Sequence, residues 1–178
     1  MTIRTIGVVG AGTMGNGIAQ VFAQAGYAVR LVDISQPTLD RAALRIDKSL
    51  AKFVEKGKLT AEARDAVLTR LTFANALDYL AEVDFVVEAI VENAEVKRDL
   101  FGRLDALTRP DVILSSNTSS ISITLLGAAT RRPDKVLGMH FMNPVPLMTL
   151  VELIRGQSTS DESMQTAIGL CTALGKNG

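Results

Sequence analysis

An open α/β sheet, largely parallel and wound with helices on both faces, is the fold predicted by three features of this sequence. Short apolar runs alternate with segments of helical period, the order expected of successive β-α-β units. The first run, Ile6-Gly7-Val8-Val9, leads directly into Gly10-Ala11-Gly12-Thr13-Met14-Gly15. A second run, Ala28-Val29-Arg30-Leu31-Val32, closes on Asp33, eighteen residues after Gly15. Strand, glycine-rich turn, helix and an acid at the end of the next strand together specify a doubly wound dinucleotide fold of the Rossmann type.

Each element follows from its residues. Gly10 permits the tight turn after the first strand, Gly12 lets backbone approach a pyrophosphate with no Cβ in the way, and Gly15 allows close helix–strand packing. The helix that starts near Thr13 and Met14 aims unpaired N–H groups and its positive dipole end at the phosphates. Asp33 can accept hydrogen bonds from both hydroxyls of an adenosine ribose. The residues after it, Ile34-Ser35-Gln36, supply no cation to balance a 2′-phosphate, so NAD is expected over NADP.

Nearly forty residues separate the second strand from the third, too many for one crossover helix and too regularly patterned for a loop. Leu39, Ala43, Ile46, Leu50 and Phe53 recur every three or four positions, giving a long helix one apolar face. Gly57 ends it, and Thr60 caps a second helix with Glu62 in its first turn. A helical hairpin projecting from the sheet is expected. A stripe of Arg41, Arg45, Lys48, Lys52 and Lys56 on the long helix reads two ways: a solvated face balanced by Asp40, Asp47 and Glu55, or a landing strip for a phosphate-rich ligand. Further strands are predicted at 71–74, 84–89, 112–115, 136–140 and 150–154. Most are continuously apolar, as when helices cover both faces.

Composition narrows the function. The 178 residues suffice for one sizeable core, and nineteen basic residues balance nineteen acidic ones, so no global field points to nucleic acid or a membrane. A single Cys171 excludes an intrachain disulfide and suits a reducing compartment. Without a membrane-length apolar stretch or a signal-peptide pattern, a cytoplasmic location is expected. No metal-ligand set is read.

The single histidine, His140, closes a predicted strand within Gly138-Met139-His140-Phe141-Met142-Asn143-Pro144-Val145-Pro146. Ligands of open α/β sheets gather beyond such strand ends, although an isolated histidine is often structural. The two prolines restrict the backbone that carries Asn143. Glu152 stands in an apolar strand and is costly to bury unless paired, which makes His140 its expected partner. Such a pair orients the imidazole and stabilises its protonated form, as a base removing a hydroxyl proton requires. The cluster Ser116-Asn117-Thr118-Ser119-Ser120 reads either as a turn and helix cap or as groups reaching a substrate oxygen. Glu92 and Lys97, just past the fourth strand, read by pattern as a solvated helix start.

Taken together, GAGTMGNGIA at Gly10, VEAIVENAEVK at Val87, SNTSSISIT at Ser116 and GMHFMNPVPLMTLVELI at Gly138 resemble the 3-hydroxyacyl-CoA dehydrogenase family, most closely its bacterial 3-hydroxybutyryl-CoA branch. The likeness spans nearly the whole chain. It implies that His140 is the base for the 3-hydroxyl, Glu152 its partner, and Ser119 a hydrogen-bonding group for the substrate oxygen. It places Asn143 near the nicotinamide, Glu92 and Lys97 against the cofactor, and Ser49 and Lys56 against CoA. The implied reaction is reversible NAD-dependent oxidation of an L-3-hydroxyacyl-CoA such as 3-hydroxybutyryl-CoA to the 3-oxo product, here acetoacetyl-CoA, in fatty-acid or butanoate metabolism.

After LGK the family continues into a further strand and an all-helical domain that supplies the homodimer interface and part of the acyl pocket. This sequence stops at Gly178, so the expectation is a cofactor domain over residues 1–178. Two other readings remain: a gulonate-type hydroxy-acid dehydrogenase acting without CoA, and a fragment that binds NAD without turnover.

Overall fold

The computed structural model describes residues 2–178. Seven strands form one sheet in the order β3-β2-β1-β4-β5-β6-β7. They are β1 (Thr5–Val9), β2 (Ala28–Val32), β3 (Leu71–Ala74), β4 (Phe85–Glu88), β5 (Ile113–Ser116), β6 (Val136–Phe141) and β7 (Val151–Arg155). The pairs from β3 through β6 are parallel, and β7 returns antiparallel to β6 at the edge. The strand order reverses direction between β1 and β4, the switch point at which such sheets open a crevice beyond their carboxyl ends.

The helices are α1 (Thr13–Gln24), α2 (Gln36–Glu55), α3 (Ala61–Thr69), α4 (Ala94–Leu107), α5 (Ile123–Ala128) and α6 (Asp161–Ala173). Ser35, Thr60, Asn93, Ser122 and Ser160 each accept a backbone N–H with the side chain and so cap the helices that follow them. Helix α1 differs. Its cap is Gly12, which has no side chain to offer, and its first turn holds no acid. Its first N–H groups remain available to an anion.

Two hydrophobic clusters sandwich the sheet. One joins α1, α2, α3 and α6 through Ile18, Phe22, Ile46, Leu50, Val67 and Leu170, and the other joins α4 and α5 through Phe101, Leu104 and Leu126. Burying each of these larger side chains contributes about 1.5–3 kcal/mol.

The α2–α3 hairpin forms as expected but does not stand free of the sheet. It folds back on α1 and β3, because Leu39, Ala42, Ile46 and Leu50 are buried in the core. Of the predicted apolar face, Ala43 and Phe53 are only half-buried. Leu150 pairs with Asn177, and Lys176 Nζ donates to the carbonyls of Val145, at 2.8 Å, and Met148. This C-terminal segment therefore anchors the proline loop after β6. Among the described residues no helix is long and apolar enough to cross a membrane.

Candidate active site

Three clefts meet along the carboxyl edge of the sheet. The first, of about 740 Å³, lies over β1 and β2 between Gly10, Gly12, Asp33 and Leu77. Gly10 has φ +100°, and a Cβ there would meet the Ala89 carbonyl oxygen at 2.5 Å. A Cβ on Gly15 would stand 1.6 Å from the Gly10 oxygen, so the close approach this glycine allows is to the turn itself rather than to the strand. At Gly12 a Cβ would meet nothing within 4 Å. The turn is open on that face, in front of the uncapped α1 terminus, and these features together fit a pyrophosphate. Thr13, Met14 and the N–H groups of this turn would hold it. Asp33 would face the adenosine ribose, with Oδ2 already accepting the Ala11 N–H and Oδ1 the Ser35 N–H, both at 2.9 Å. Each oxygen retains a second acceptor site for a ribose hydroxyl.

The second cleft, of about 350 Å³, lies over the other half of the sheet and is lined by Met14, Glu92, Lys97, Ser119, His140 and Asn143, among others. His140 and Glu152 stand opposite each other in the β6–β7 ladder, with Nδ1 and Oε1 3.0 Å apart. The pairing matches the sequence expectation, but its supposed cause does not: the Glu152 side chain is 56% exposed, because β7 is an edge strand. Facing a carboxylate, Nδ1 carries the proton and Nε2 presents its lone pair to a ligand.

Lys97 departs from the solvated reading of its segment, which holds for Glu92 and the neighbouring exposed residues. Its side chain is 1% exposed, and Nζ donates to Glu88 Oε2 at 2.5 Å, with Glu92 Oε1 at 3.2 Å and the Ile90 carbonyl at 3.4 Å. Glu92 in turn ties two loops together, its Oε2 accepting from the Thr118 hydroxyl at 2.8 Å and the Ser119 N–H at 3.0 Å. Burial opposes ionisation of Glu92, but these hydrogen bonds and the Lys97 ammonium outweigh it and hold its pKa at about 2. The Ser119 and Ser120 hydroxyls lie 3.3 Å from the same oxygen. With four donors sharing one acceptor, the Ser119 hydroxyl is weakly held and free to turn toward a ligand.

The third cleft, of about 370 Å³, runs between α2 and the proline loop. Arg45, Lys48, Lys52 and Lys56 line it, together with Ser49, whose hydroxyl accepts from Gln20 Nε2 at 2.9 Å. Arg41, the remaining member of the basic stripe, instead bonds Thr38. Phe53 lines this cleft too, which explains its absence from the core. Asn143 borders both the second and third clefts, so the cationic groove opens directly beside His140.

Three positioning residues went unassigned by sequence reasoning. Asn117 Oδ1 accepts the Phe141 N–H at 2.7 Å and fixes the strand end next to His140. Glu88 holds Lys97. Its signal was present, since it is a lone acid closing a buried strand. Lys176 steadies the loop that carries Asn143, and nothing local marks it, because its acceptors lie 28 and 31 residues away.

A family model described as the NAD-binding domain of 3-hydroxyacyl-CoA dehydrogenase matches residues 5–178. A probable 3-hydroxybutyryl-CoA dehydrogenase of Deinococcus radiodurans is 54% identical over 170 residues, covering 96% of this chain and 61% of the relative. A 3-hydroxybutyryl-CoA dehydrogenase of Bradyrhizobium diazoefficiens is 49% identical, over 98% of this chain and 59% of its own length. The crystal structure of (S)-3-hydroxybutyryl-CoA dehydrogenase from Ralstonia eutropha matches with a TM-score of 0.96 at 45% identity, covering 99% of this chain and 62% of that one. The chain thus spans about six-tenths of the length of these relatives.

Proposed function

Since the chain belongs to the 3-hydroxyacyl-CoA dehydrogenase family through its NAD-binding domain, we propose that it serves the reversible oxidation of L-3-hydroxyacyl-CoA to 3-oxoacyl-CoA, with the 3-hydroxybutyryl/acetoacetyl pair as substrates. The observation that carries this reading is the junction at Asn143, where a cleft lined by His140, itself paired with Glu152, opens into a groove lined by cations. A substrate with a reactive hydroxyl at one end and phosphates at the other spans the two. The same groove favours a CoA ester over a gulonate-type hydroxy acid, which carries no phosphates.

NAD, held by the glycine turn and Asp33, would supply a two-electron hydride acceptor for C3 of the substrate. The chain manages the proton and the geometry. His140 Nε2 accepts the 3-hydroxyl proton, and the resulting imidazolium faces the Glu152 carboxylate 3.0 Å from Nδ1. The Ser119 hydroxyl, released from Glu92, donates to the oxygen on C3 and orients it. Asn143 borders the reacting end, and Ser49 and Lys56 meet CoA along α2. In the reverse direction the imidazolium returns its proton to the nascent alkoxide.

Homodimerisation through a helical domain outside these residues, and a cytoplasmic location consistent with the buried free thiol of Cys171, belong to the same proposal. Following NADH absorbance with acetoacetyl-CoA, for this chain and for one extended through a helical domain, tests it. Turnover by either supports the reaction. Acyl-CoA-independent behaviour in both overturns it.

A further inference from the structure

Glu88 closes β4 with no exposed surface, and three donors converge on its carboxylate: the Ser116 hydroxyl at 2.5 Å, the Ile90 N–H at 2.8 Å and Lys97 Nζ at 2.5 Å. Through Oε2 the carboxylate forms an ion pair with Lys97. Lys97 Nζ, meeting only acceptors, is an ammonium. Glu92, bonded by Thr118, Ser119 and Lys97, is a second carboxylate. The hydrogen-bonded cluster therefore holds two negative charges and one positive, leaving one negative charge over. Lys97 and Glu92 form part of the cleft wall that includes His140. Glu88 and Lys97 are shielded from water, so their fields act with little screening, whereas Glu152 is 56% exposed and already faces His140.

Asp33 marks the adenosine end of the dinucleotide site over β2, and the glycine turn marks its phosphates. The remaining end lies over β4 and β5, next to this cluster. The oxidised nicotinamide ring is cationic and the reduced ring is neutral.

We propose that the Glu88–Lys97–Glu92 cluster determines specificity for cofactor redox state: its one net negative charge, set behind and in the cleft wall, favours NAD+ over NADH. This rests on the NAD-binding reading of the site, and the test separates the two. The chain is titrated calorimetrically with NAD+, NADH and ADP-ribose, which lacks the nicotinamide. Glu88→Gln keeps the side-chain shape and removes the charge. The ratio of Kd for NAD+ to Kd for NADH should rise about tenfold while ADP-ribose affinity stays unchanged. The double substitution Glu88→Gln with Lys97→Gln restores one net negative charge and should return the ratio to within about twofold of the parent. A ratio unmoved by Glu88→Gln, or one still shifted in the double variant, overturns the proposal. Should Glu88→Gln not fold, Glu92→Gln removes the same charge from the more exposed arm and must raise the ratio in the same sense; no change there also overturns it. Failure of ADP-ribose to bind the parent chain would instead overturn the NAD-site reading.

Discussion

The Asp33 carboxylate reaches back to the glycine turn, accepting the Ala11 N–H at 2.9 Å through Oδ2 while Oδ1 accepts the Ser35 N–H. One acid at the end of β2 thus braces the exit of β1 and the entry to α2, and on the proposed reading it would also face the ribose.

Cofactor choice follows from that double duty. The carboxylate repels a 2′-phosphate, so calorimetric titration should show NAD bound in preference to NADP. Asp33→Ala should weaken NAD binding by about ten- to hundredfold, since it removes charge-assisted hydrogen bonds to the ribose and frees the turn. Equal affinity of the parent for NAD and NADP would remove Asp33 from the ribose.

Lys56 lies in the cationic groove, away from the adenosine cleft. Lys56→Glu should weaken acetoacetyl-CoA binding by about three- to tenfold at low ionic strength, with NAD affinity unchanged. The loss should shrink as salt is added. An acyl-CoA affinity that Lys56→Glu leaves intact would return the stripe to a solvated face.

The His140–Glu152 pair should behave as a unit. His140→Gln and Glu152→Gln should each lower turnover, the former by about 10²–10⁴-fold or more because an amide cannot take the hydroxyl proton. Helix content and NAD binding should be retained. The double variant should be little slower than the slower single one, as for residues acting together. Steady-state rates decide this, and losses that multiply would show that the two act independently.

Glu92 makes stability depend on pH. Its pKa is lowered from 4.5 to about 2 in the fold, so its contribution is complete above the unfolded value and is lost as pH falls toward about 2. Asp84 and Asp105 are lowered as well, Asp84 by the Arg4 and Thr5 N–H groups and Asp105 by Arg131 and Arg132, in each case against an opposing effect of burial. Denaturant melts at a series of pH values should therefore show the parent losing stability between about 4.5 and 2, and Glu92→Gln losing less over that window. Parallel profiles for the two proteins would show that Glu92 is not held ionised by the loops it joins.

The sequence alone determined the order of β-α-β units, the glycine turn, the acid at Asp33 and the Thr60 cap. These are legible because they depend on local backbone preference, on periodicity, or on motifs whose spacing is fixed. The proposed base and the proposed role of Ser119 rest on family resemblance, since one histidine and a serine-rich turn are chemically ambiguous by themselves. Tertiary structure decided the rest. Lys97 looks like any exposed lysine at a helix start until the sheet brings its ammonium over Glu88 at the end of β4, and Phe53 keeps helical register yet turns from the core to the groove. Glu152 looks buried by its neighbours and is exposed because its strand is the last in the sheet. Whether a polar side chain is solvated or enclosed depends on which distant segments pack over it, and that is a property of the assembled sheet rather than of any stretch of residues.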